Sequence, residues 1–282
     1  MPISYKLTQN QANLIIKHYK KYSTTPTNNY TLFLAKNKPE FTITIYTNLT
    51  LLIQGAKEDE THNKISLLIG KTIEHSIIGS DEVGTGDFFG GVVVCAAFID
   101  SKDLEKVKAL GVKDSKVLTD TQINKIAQEL IKIIPYEAII LSPTQYNKMI
   151  ASGNNLNKIK ALMHNKALLT LSKKVKYDQI IIDKFASEKN YYSYLEDQKD
   201  ILKEKVNFLE KGESKVLSIA AASIIARYLF NRQIDDLSNL INYKLPKGAG
   251  SIVDKAINEL KQRYGNKIFD NIGKTHFKNL KK

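Results

Sequence analysis

The sequence holds a single cysteine, Cys95, so neither an internal disulfide framework nor a multi-cysteine zinc site can be built within the chain. Cys95 stands in Val92-Val93-Val94-Cys95-Ala96-Ala97, where a small buried core residue is expected rather than a nucleophile. No apolar run approaches the roughly 18 residues that a bilayer-crossing helix needs. The N-terminal MPISYKLTQN lacks the charged-then-apolar order of a secretory signal. A reducing, cytoplasmic setting without a membrane partner is therefore the expectation. No internal repeat and no low-complexity tract is present, which sets repeat architectures aside. Acidic residues are also in short supply: 29 Asp+Glu against 42 Lys+Arg leave a formal net charge of +13. That surplus suits a polyanionic partner, because each Lys or Arg brought to a phosphate displaces a condensed counterion. A basic balance also serves plain solubility.

What is present is ordinary in bulk. With 282 residues, 43% hydrophobic and 25% charged, the chain can fold as one large domain or two modest ones, each with a real core. Residues 1–70 read as a small α+β unit. Thr8 can cap a helix in which Ala12, Ile15 or Ile16, Tyr19 and Tyr22 recur at helical spacing. Lys17, Lys20 and Lys21 share another face of that helix. Strand-like runs follow at Thr31–Ala35, Phe41–Tyr46 and Thr50–Gln54, and a helix over Lys57–Leu68 closes the unit. Strict alternation in Phe41–Tyr46 turns Phe41, Ile43 and Ile45 to the core and Thr42, Thr44 and Tyr46 outward. An open Thr/Tyr sheet face beside the lysines suits a sugar-phosphate backbone, and equally a solvated surface.

From residue 71 to 282 apolar strands alternate with amphipathic helices, which predicts an α/β domain. Strands are expected at His75–Ser80, Gly91–Ile99, Tyr136–Leu141 and Gln179–Ile182. Helices are expected at Thr119–Ile133, Asn157–Val175, Tyr191–Leu209, Ser214–Leu240 and Ser251–Tyr264. Asn271–Lys282 carries four lysines and no acid; it reads as a basic tail lying on a substrate or as a solvated one.

The chemistry concentrates in Ile77-Ile78-Gly79-Ser80-Asp81-Glu82-Val83-Gly84-Thr85-Gly86-Asp87-Phe88-Phe89-Gly90-Gly91-Val92. Adjacent carboxylates at the end of an apolar run are unusual, since a strand interior penalises unpaired charge. The glycines do not make a dinucleotide fingerprint: the third is misplaced, and a β-branched strand follows where a helix is required. Strand, glycine-rich turn, strand is a hairpin with the acids on its first arm. Neighbouring strand residues point to opposite faces. Asp81 and Glu82 therefore converge only if the backbone bends, or else one of them serves a second metal or a backbone ligand. Gln179-Ile180-Ile181-Ile182-Asp183 reads as a buried parallel strand with Asp183 at its carboxyl end, where ligand-binding groups gather in α/β sheets. Asp183 is equally suited to a helix cap or turn. Glu213 precedes the helix carrying Ser218, Ala222 and Ala226 at four-residue spacing, a stripe small enough for close packing on a sheet. Glu213 either complements that helix dipole or ligates a metal.

Taken together, Gly79–Gly90, Gly111-Val112-Lys113-Asp114-Ser115-Lys116, Asn155-Leu156-Asn157 through Met163-His164-Asn165, Ile182-Asp183, Leu217–Arg227 with Ala220-Ala221-Ala222-Ser223, and Leu245-Pro246-Lys247-Gly248-Ala249-Gly250 resemble ribonuclease HIII in order, up to His276-Phe277. The sister family, ribonuclease HII, has Gly-Arg-Gly where this chain has Gly84-Thr85-Gly86, usually has Asp where Glu213 stands, and lacks such an N-terminal extension. The resemblance implies a ribonuclease H-like catalytic domain over 71–282, preceded by a substrate-binding domain over 1–70 resembling the TATA-binding protein. It implies hydrolysis of the RNA strand of an RNA/DNA hybrid by a monomer, leaving 5′-phosphate and 3′-hydroxyl ends. Asp81, Glu82, Asp183 and Glu213 are then the catalytic, metal-holding carboxylates. Hard oxygen donors suit Mg²⁺ or Mn²⁺, and phosphodiester cleavage suits a metal pair about 3.5–4 Å apart. Gly84, Thr85 and Gly86 are expected against the 2′-OH. Lys116, Asn157 and the Lys17, Lys20, Lys21 face are candidate substrate contacts, while Asn157 also suits a helix cap. His164 reads as a packing residue rather than a ligand. Three alternatives stay open: cutting at single ribonucleotides in DNA, a metal-dependent DNA nuclease, and a non-catalytic hybrid binder.

Overall fold

The computed structural model describes residues 2–26, 28–70, 76–112 and 117–281. The chain divides into two compact units, Met1–Ile73 and Glu74–Lys282. Among the described residues no helix is long and apolar enough to cross a membrane.

The first unit runs β1 (Ile3–Lys6), α1 (Gln9–Tyr19), β2 (Thr31–Asn37), β3 (Phe41–Tyr46), β4 (Thr50–Gln54) and α2 (Glu58–Leu68). Helix α1 begins at a reciprocal cap: Thr8 Oγ1 accepts from Gln11 N, and the Gln11 side chain accepts from Thr8 N. The strands make one antiparallel sheet in the order β1-β4-β3-β2. Phe41, Ile43 and Ile45 of β3 bury against a core that includes Ala12, Ile15, Tyr19 and Ile65. On the other face Thr42 and Tyr46 are half-buried and Thr44 is buried, so it is less open than the alternation suggests. The α-helix stops at Tyr19 and Lys20 and Lys21 lie in a 3₁₀ turn. Helical spacing therefore does not run through Lys17, Lys20 and Lys21, although all three are exposed.

The second unit contains β5 (Ile77–Val83), β6 (Val92–Ile99), α3 (Leu104–Ala109), α4 (Asp120–Ile133), β7 (Tyr136–Leu141), α5 (Pro143–Ala151), α6 (Leu156–Ser172), β8 (Gln179–Asp183), α7 (Glu188–Ser193), β9 (Val206–Leu209), α8 (Leu217–Leu240), α9 (Ser251–Tyr264) and α10 (Phe269–Ile272). Its sheet has the order β7-β6-β5-β8-β9. β5, β6 and β7 form an antiparallel meander, and β8 and β9 join parallel to β5. Period-two alternation along β6 feeds two cores. Val93, Cys95 and Ala97 pack with α4 and α8 on one face, and Val92, Val94 and Ala96 pack with α6 on the other. Each fully buried Ile or Leu in these layers contributes about 1.5–3 kcal/mol.

The small-residue face of α8 lies directly on β5 and β6. Gly79 makes this possible: a Cβ there would fall 2.4 Å from Ile219 N and 2.5 Å from the Ser218 carbonyl carbon. Strand β5 extends through Val83, so both acids lie within it rather than beyond its end. His75 lies outside the described residues.

One expected helix is replaced. Over Tyr191–Leu209 only the short α7 forms, and Val206–Leu209 is the edge strand β9. Tyr191, Leu195 and Leu202 are buried anchors whose spacing imitates a helical stripe, while the backbone of Val206–Leu209 finds its partners on β8. β1, α3 and α5 were not anticipated. Nor is the C-terminal segment a loose basic tail. Lys274 is fully buried, Gly90 N donates to Ile272 O, and Lys274 N donates to Phe88 O.

Candidate active site

Asp81, Asp183 and Glu213 are gathered by three parallel strands lying side by side, with Asp81 within β5, Asp183 at the end of β8 and Glu213 in the turn after β9. β5 and β8 pair in register at Ser80 and Ile182, and β8 and β9 at Asp183 and Leu209. One step beyond Ser80 and Ile182 stand Asp81 and Asp183, on strands about 4.8 Å apart. After β9, Lys211 adopts a left-handed conformation with φ 54° and leads into a 3₁₀ turn over Gly212–Ser214. That turn is tied back to β8, where Gly212 N donates to Asp183 Oδ1 at 2.8 Å. Glu213 is buried and accepts from Ser223 Oγ of α8 at 3.3 Å. The Ser223 side chain is also hydrogen-bonded to the Asp81 carboxyl. Ser223 thus stands between Asp81 and Glu213.

The electrostatics follow from this crowding. Burial pushes the Asp81 carboxyl well above the usual carboxylate range, and the charges of Glu82 and Asp183 push the same way. Hydrogen bonds from Ser223 and the Glu82 amide oppose the shift. A cation placed among these oxygens would relieve the repulsion. Among the described residues no three His, Cys, Asp or Glu side chains are already closed into a metal-ready group.

Glu82 is turned elsewhere. The strand is regular here, with Asp81 opposite Cys95 and Glu82 opposite Val94, so the two side chains leave on opposite faces. Glu82 Oε1 accepts from Lys160 Nζ at 2.9 Å, and Glu82 Oε2 lies 3.0 Å from His164 Nε2, both on α6. Burial alone would raise the Glu82 pKa; His164 and Lys160 outweigh it and hold the carboxyl below its usual value.

The glycine-rich turn follows directly. Gly84 has φ +94°, and a Cβ there would sit 2.6 Å from the Phe230 ring and 2.7 Å from Gly91 O, so its part is to shape the turn. Thr85 is half-buried and Gly86 exposed, with nothing within 4 Å of where a Gly86 Cβ would lie. Asn157 is exposed in the first turn of α6; the cap is Asn155, whose Oδ1 accepts from Lys158 N. Lys116 lies outside the described residues.

Ser223 and Lys160 do not stand out as site residues in the sequence, whereas His164, expected to pack rather than ligate, is fully buried with both ring nitrogens hydrogen-bonded. The available signal was polarity in the wrong place. Lys160 and His164 stand four apart among Ile159, Ala161, Met163, Ala167 and Leu168, and Ser223 interrupts an otherwise apolar helix face.

Residues 78–280 match the family described as ribonuclease HII, and ribonuclease HIII of Bacillus mycoides is 41% identical over 273 residues, covering 89% of this chain and 87% of that protein. The chain belongs to the ribonuclease HII family, in its ribonuclease HIII branch. Endoribonuclease activity comes with that membership. Ribonuclease HIII of Bacillus cereus is 40% identical over 290 residues, covering 95% of this chain and 93% of its own. Among solved structures, Bst-RNase HIII in complex with Mn²⁺ aligns with a TM-score of 0.74 at 35% identity, covering 100% of this chain and 97% of that one. Ribonuclease H2 from Pyrococcus horikoshii aligns with a TM-score of 0.61 at 27% identity, covering 73% of this chain and 95% of that one. Residues 3–64 match a domain of unknown function (DUF3378). The mixed α/β architecture is thus that of ribonuclease HIII.

Proposed function

We propose that this ribonuclease HIII is metal-dependent and hydrolyses the RNA strand of RNA/DNA hybrids, leaving 5′-phosphate and 3′-hydroxyl ends. The observation that carries this is the gathering of Asp81, Asp183 and Glu213 on and just after adjacent parallel strands, with Ser223 between Asp81 and Glu213. Action as a monomer belongs to the same reading. An all-oxygen, all-anionic donor set fits Mg²⁺ or Mn²⁺, and the relative solved in complex with Mn²⁺ supports the same class of ion. A pair of such ions supplies Lewis-acid stabilisation of phosphoryl charge and a nucleophile at neutral pH.

The chain's own contribution is placement. Asp81, Glu82, Asp183 and Glu213 would hold the ions; the Gly212 amide and Ser223 hydroxyl orient Asp183, Asp81 and Glu213, and Lys160 and His164 of α6 orient Glu82. Gly84 shapes a turn that presents Thr85 and Gly86 to the ribose 2′-OH, the group that marks RNA. Lys116, Asn157 and the exposed Lys17, Lys20 and Lys21 are phosphate contacts in this reading, in keeping with the net charge of +13.

The test compares initial rates on a uniform hybrid, a duplex with one embedded ribonucleotide, and an all-DNA duplex, each in Mg²⁺ and in Mn²⁺. Cleavage of the hybrid with little at the lone ribonucleotide is expected. Thr85 has one short donor where the sister family has an arginine fork, so recognition must be spread over several riboses. Comparable rates at a lone ribonucleotide would indicate specificity of the ribonuclease HII kind. Cutting of DNA would indicate a general nuclease, and no cutting in either metal a binding protein.

A further inference from the structure

Downstream of the acids, the glycine-rich turn is open at its tip and bound at its shoulder. Gly86 is exposed, and nothing lies within 4 Å of where its Cβ would stand. The two residues after it are held by segments far along the chain. Asp87 Oδ1 accepts from Gly248 N at 2.6 Å, and Asp87 O accepts from Lys274 Nζ at 2.6 Å. Phe88 N donates to Gly248 O at 2.8 Å, and Phe88 O accepts from Lys274 N at 2.9 Å. Lys274 Nζ also donates to Gly90 O at 2.8 Å. Burying an amine costs free energy that an apolar side chain would not. Lys274 is nevertheless fully buried, and it spends its Nζ on two carbonyls of one turn. The 245–250 loop is anchored in its own right: Lys247 Nζ donates to Asp120 Oδ2 at 2.6 Å, and Ala249 O accepts from Asn279 Nδ2 at 2.8 Å. The tip of the turn thus stands on a frame with two separate anchors.

We propose that Asp87 and Lys274 are positioning residues for ribose recognition: they tie the glycine-rich turn to the 245–250 loop and to the C-terminal segment, and so fix Thr85 and Gly86 where a 2′-OH is held well and a deoxyribose is not. The inference rests on the reading of Thr85 and Gly86 as the 2′-OH contact. In this role neither residue needs to touch substrate. Asp87 is gripped twice, through its carboxylate by the loop and through its carbonyl by Lys274. Hydrogen bonds weaken steeply as their geometry departs from linear, so a turn that rocked on its shoulder would hold ribose and deoxyribose nearly alike. The Thr85 hydroxyl is one short donor, with little reach to make up for misplacement.

The test uses full-length Asp87→Ala, Asp87→Asn and Lys274→Met on two duplexes. One carries a short ribonucleotide stretch; the other is identical except for a deoxyribose on the 5′ side of the mapped cleavage site. It measures kcat and KM per folded molecule, Mn²⁺ binding to the free protein by calorimetry, and the unfolding midpoint. The ribose preference is the ratio of kcat/KM on the two duplexes. For Asp87→Ala and Lys274→Met it should shrink at least about tenfold, mainly through loss on the ribose substrate, because small misplacements of recognition groups are expensive. Mn²⁺ affinity should stay within about twofold, since the acids keep their own partners. Asp87→Asn should recover most of the loss, because its amide oxygen can still accept from Gly248 N. An unchanged ribose preference in either variant overturns that residue's part. Equal losses on both duplexes, with Mn²⁺ affinity and midpoint falling together, mean structural damage and overturn the proposal. Should Lys274→Met not fold, Asp87→Ala and Asp87→Asn decide alone, because Asp87 is only half-buried and its carbonyl still accepts from Lys274. A wild-type enzyme without ribose preference would defeat the 2′-OH reading and the proposal with it. A strong wild-type preference that the variants keep defeats only the positioning role.

Discussion

Asp81 and Glu82, adjacent in one strand, send their carboxylates to helices on opposite sides of the sheet: Asp81 to Ser223 of α8, Glu82 to Lys160 and His164 of α6. An acidic pair that looks like a single feature is two devices back to back. One gathers charge, and the other neutralises it.

Asp183→Asn should abolish cleavage, by about a thousandfold or more, while hybrid binding stays within a few-fold. The amide oxygen can still accept from Gly212 N, as Asp183 Oδ1 does at 2.8 Å, so the turn carrying Glu213 is kept and only the charge goes. Single-turnover cleavage and fluorescence anisotropy on the same hybrid decide it. Near-normal turnover would remove Asp183 from the site.

Gly79→Ala should destabilise the fold by about 1–3 kcal/mol. Its Cβ would meet Ile219 N at 2.4 Å, and backbone cannot turn aside as a flexible side chain can. Separating α8 from β5 also displaces Ser223, so turnover should fall further than the unfolded fraction explains. Urea unfolding together with kcat checks both; an unaltered midpoint would mean that the helix does not lie so close.

Lys274 predicts an unusual pH dependence. Its Nζ donates to Asp87 O at 2.6 Å and Gly90 O at 2.8 Å, and burial pulls its pKa down to about 7 against the opposing charge of Asp87. A neutral amine still has two N–H groups for the two carbonyls. In the unfolded chain the group holds its proton to about pH 10.4. Between about 7 and 10.4 the unfolded state binds more protons, so this group's contribution to stability rises with pH, by at most about 1.4 kcal/mol per unit, and levels off above that window. Lys274→Met should remove the slope and leave two buried carbonyls short of a donor, costing about 1–3 kcal/mol. Urea unfolding of both proteins between about pH 7 and pH 9 is the measurement; identical slopes would show that Lys274 keeps its proton when folded.

Replacing Lys17, Lys20 and Lys21 together by glutamine should weaken binding to long hybrids and flatten its dependence on salt. Each lost phosphate contact lowers the log–log slope by about 0.9. All three side chains are exposed, so stability should not change. Titrations over a range of salt concentrations test this, and an unaltered slope would free the first unit from any phosphate-binding duty.

Much of the architecture was legible because it rests on period and burial. β3 lies where alternation puts it, β4 and β7 lie on runs expected as strands, α1 begins at its capping Thr8, and α8 packs along its small residues. Asp81, Glu82 and Asp183 stood out because charge at the end of an apolar run is costly, and Glu213 because it stands just ahead of the small-residue helix. The partners of these acids did not stand out. Lys160 and His164 acquire meaning only from a carboxylate far away in the chain, and Ser223 only from two acids on different strands. β9 was hidden for a related reason: Tyr191, Leu195 and Leu202 are buried by tertiary contacts that happen to fall at helix-like intervals.

The parallel pairing of β5, β8 and β9 also sets an order of events. The β5–β6 hairpin closes between near neighbours, whereas β8 must return to β5 across a long stretch of chain before β9 can add beside it, and such distant closures come late in folding. During synthesis Asp81 emerges well before Asp183, and Asp183 before Glu213. A nascent chain that stops short of Glu213 therefore has no assembled acid cluster, and the capacity to cut RNA arrives only with the finished sheet.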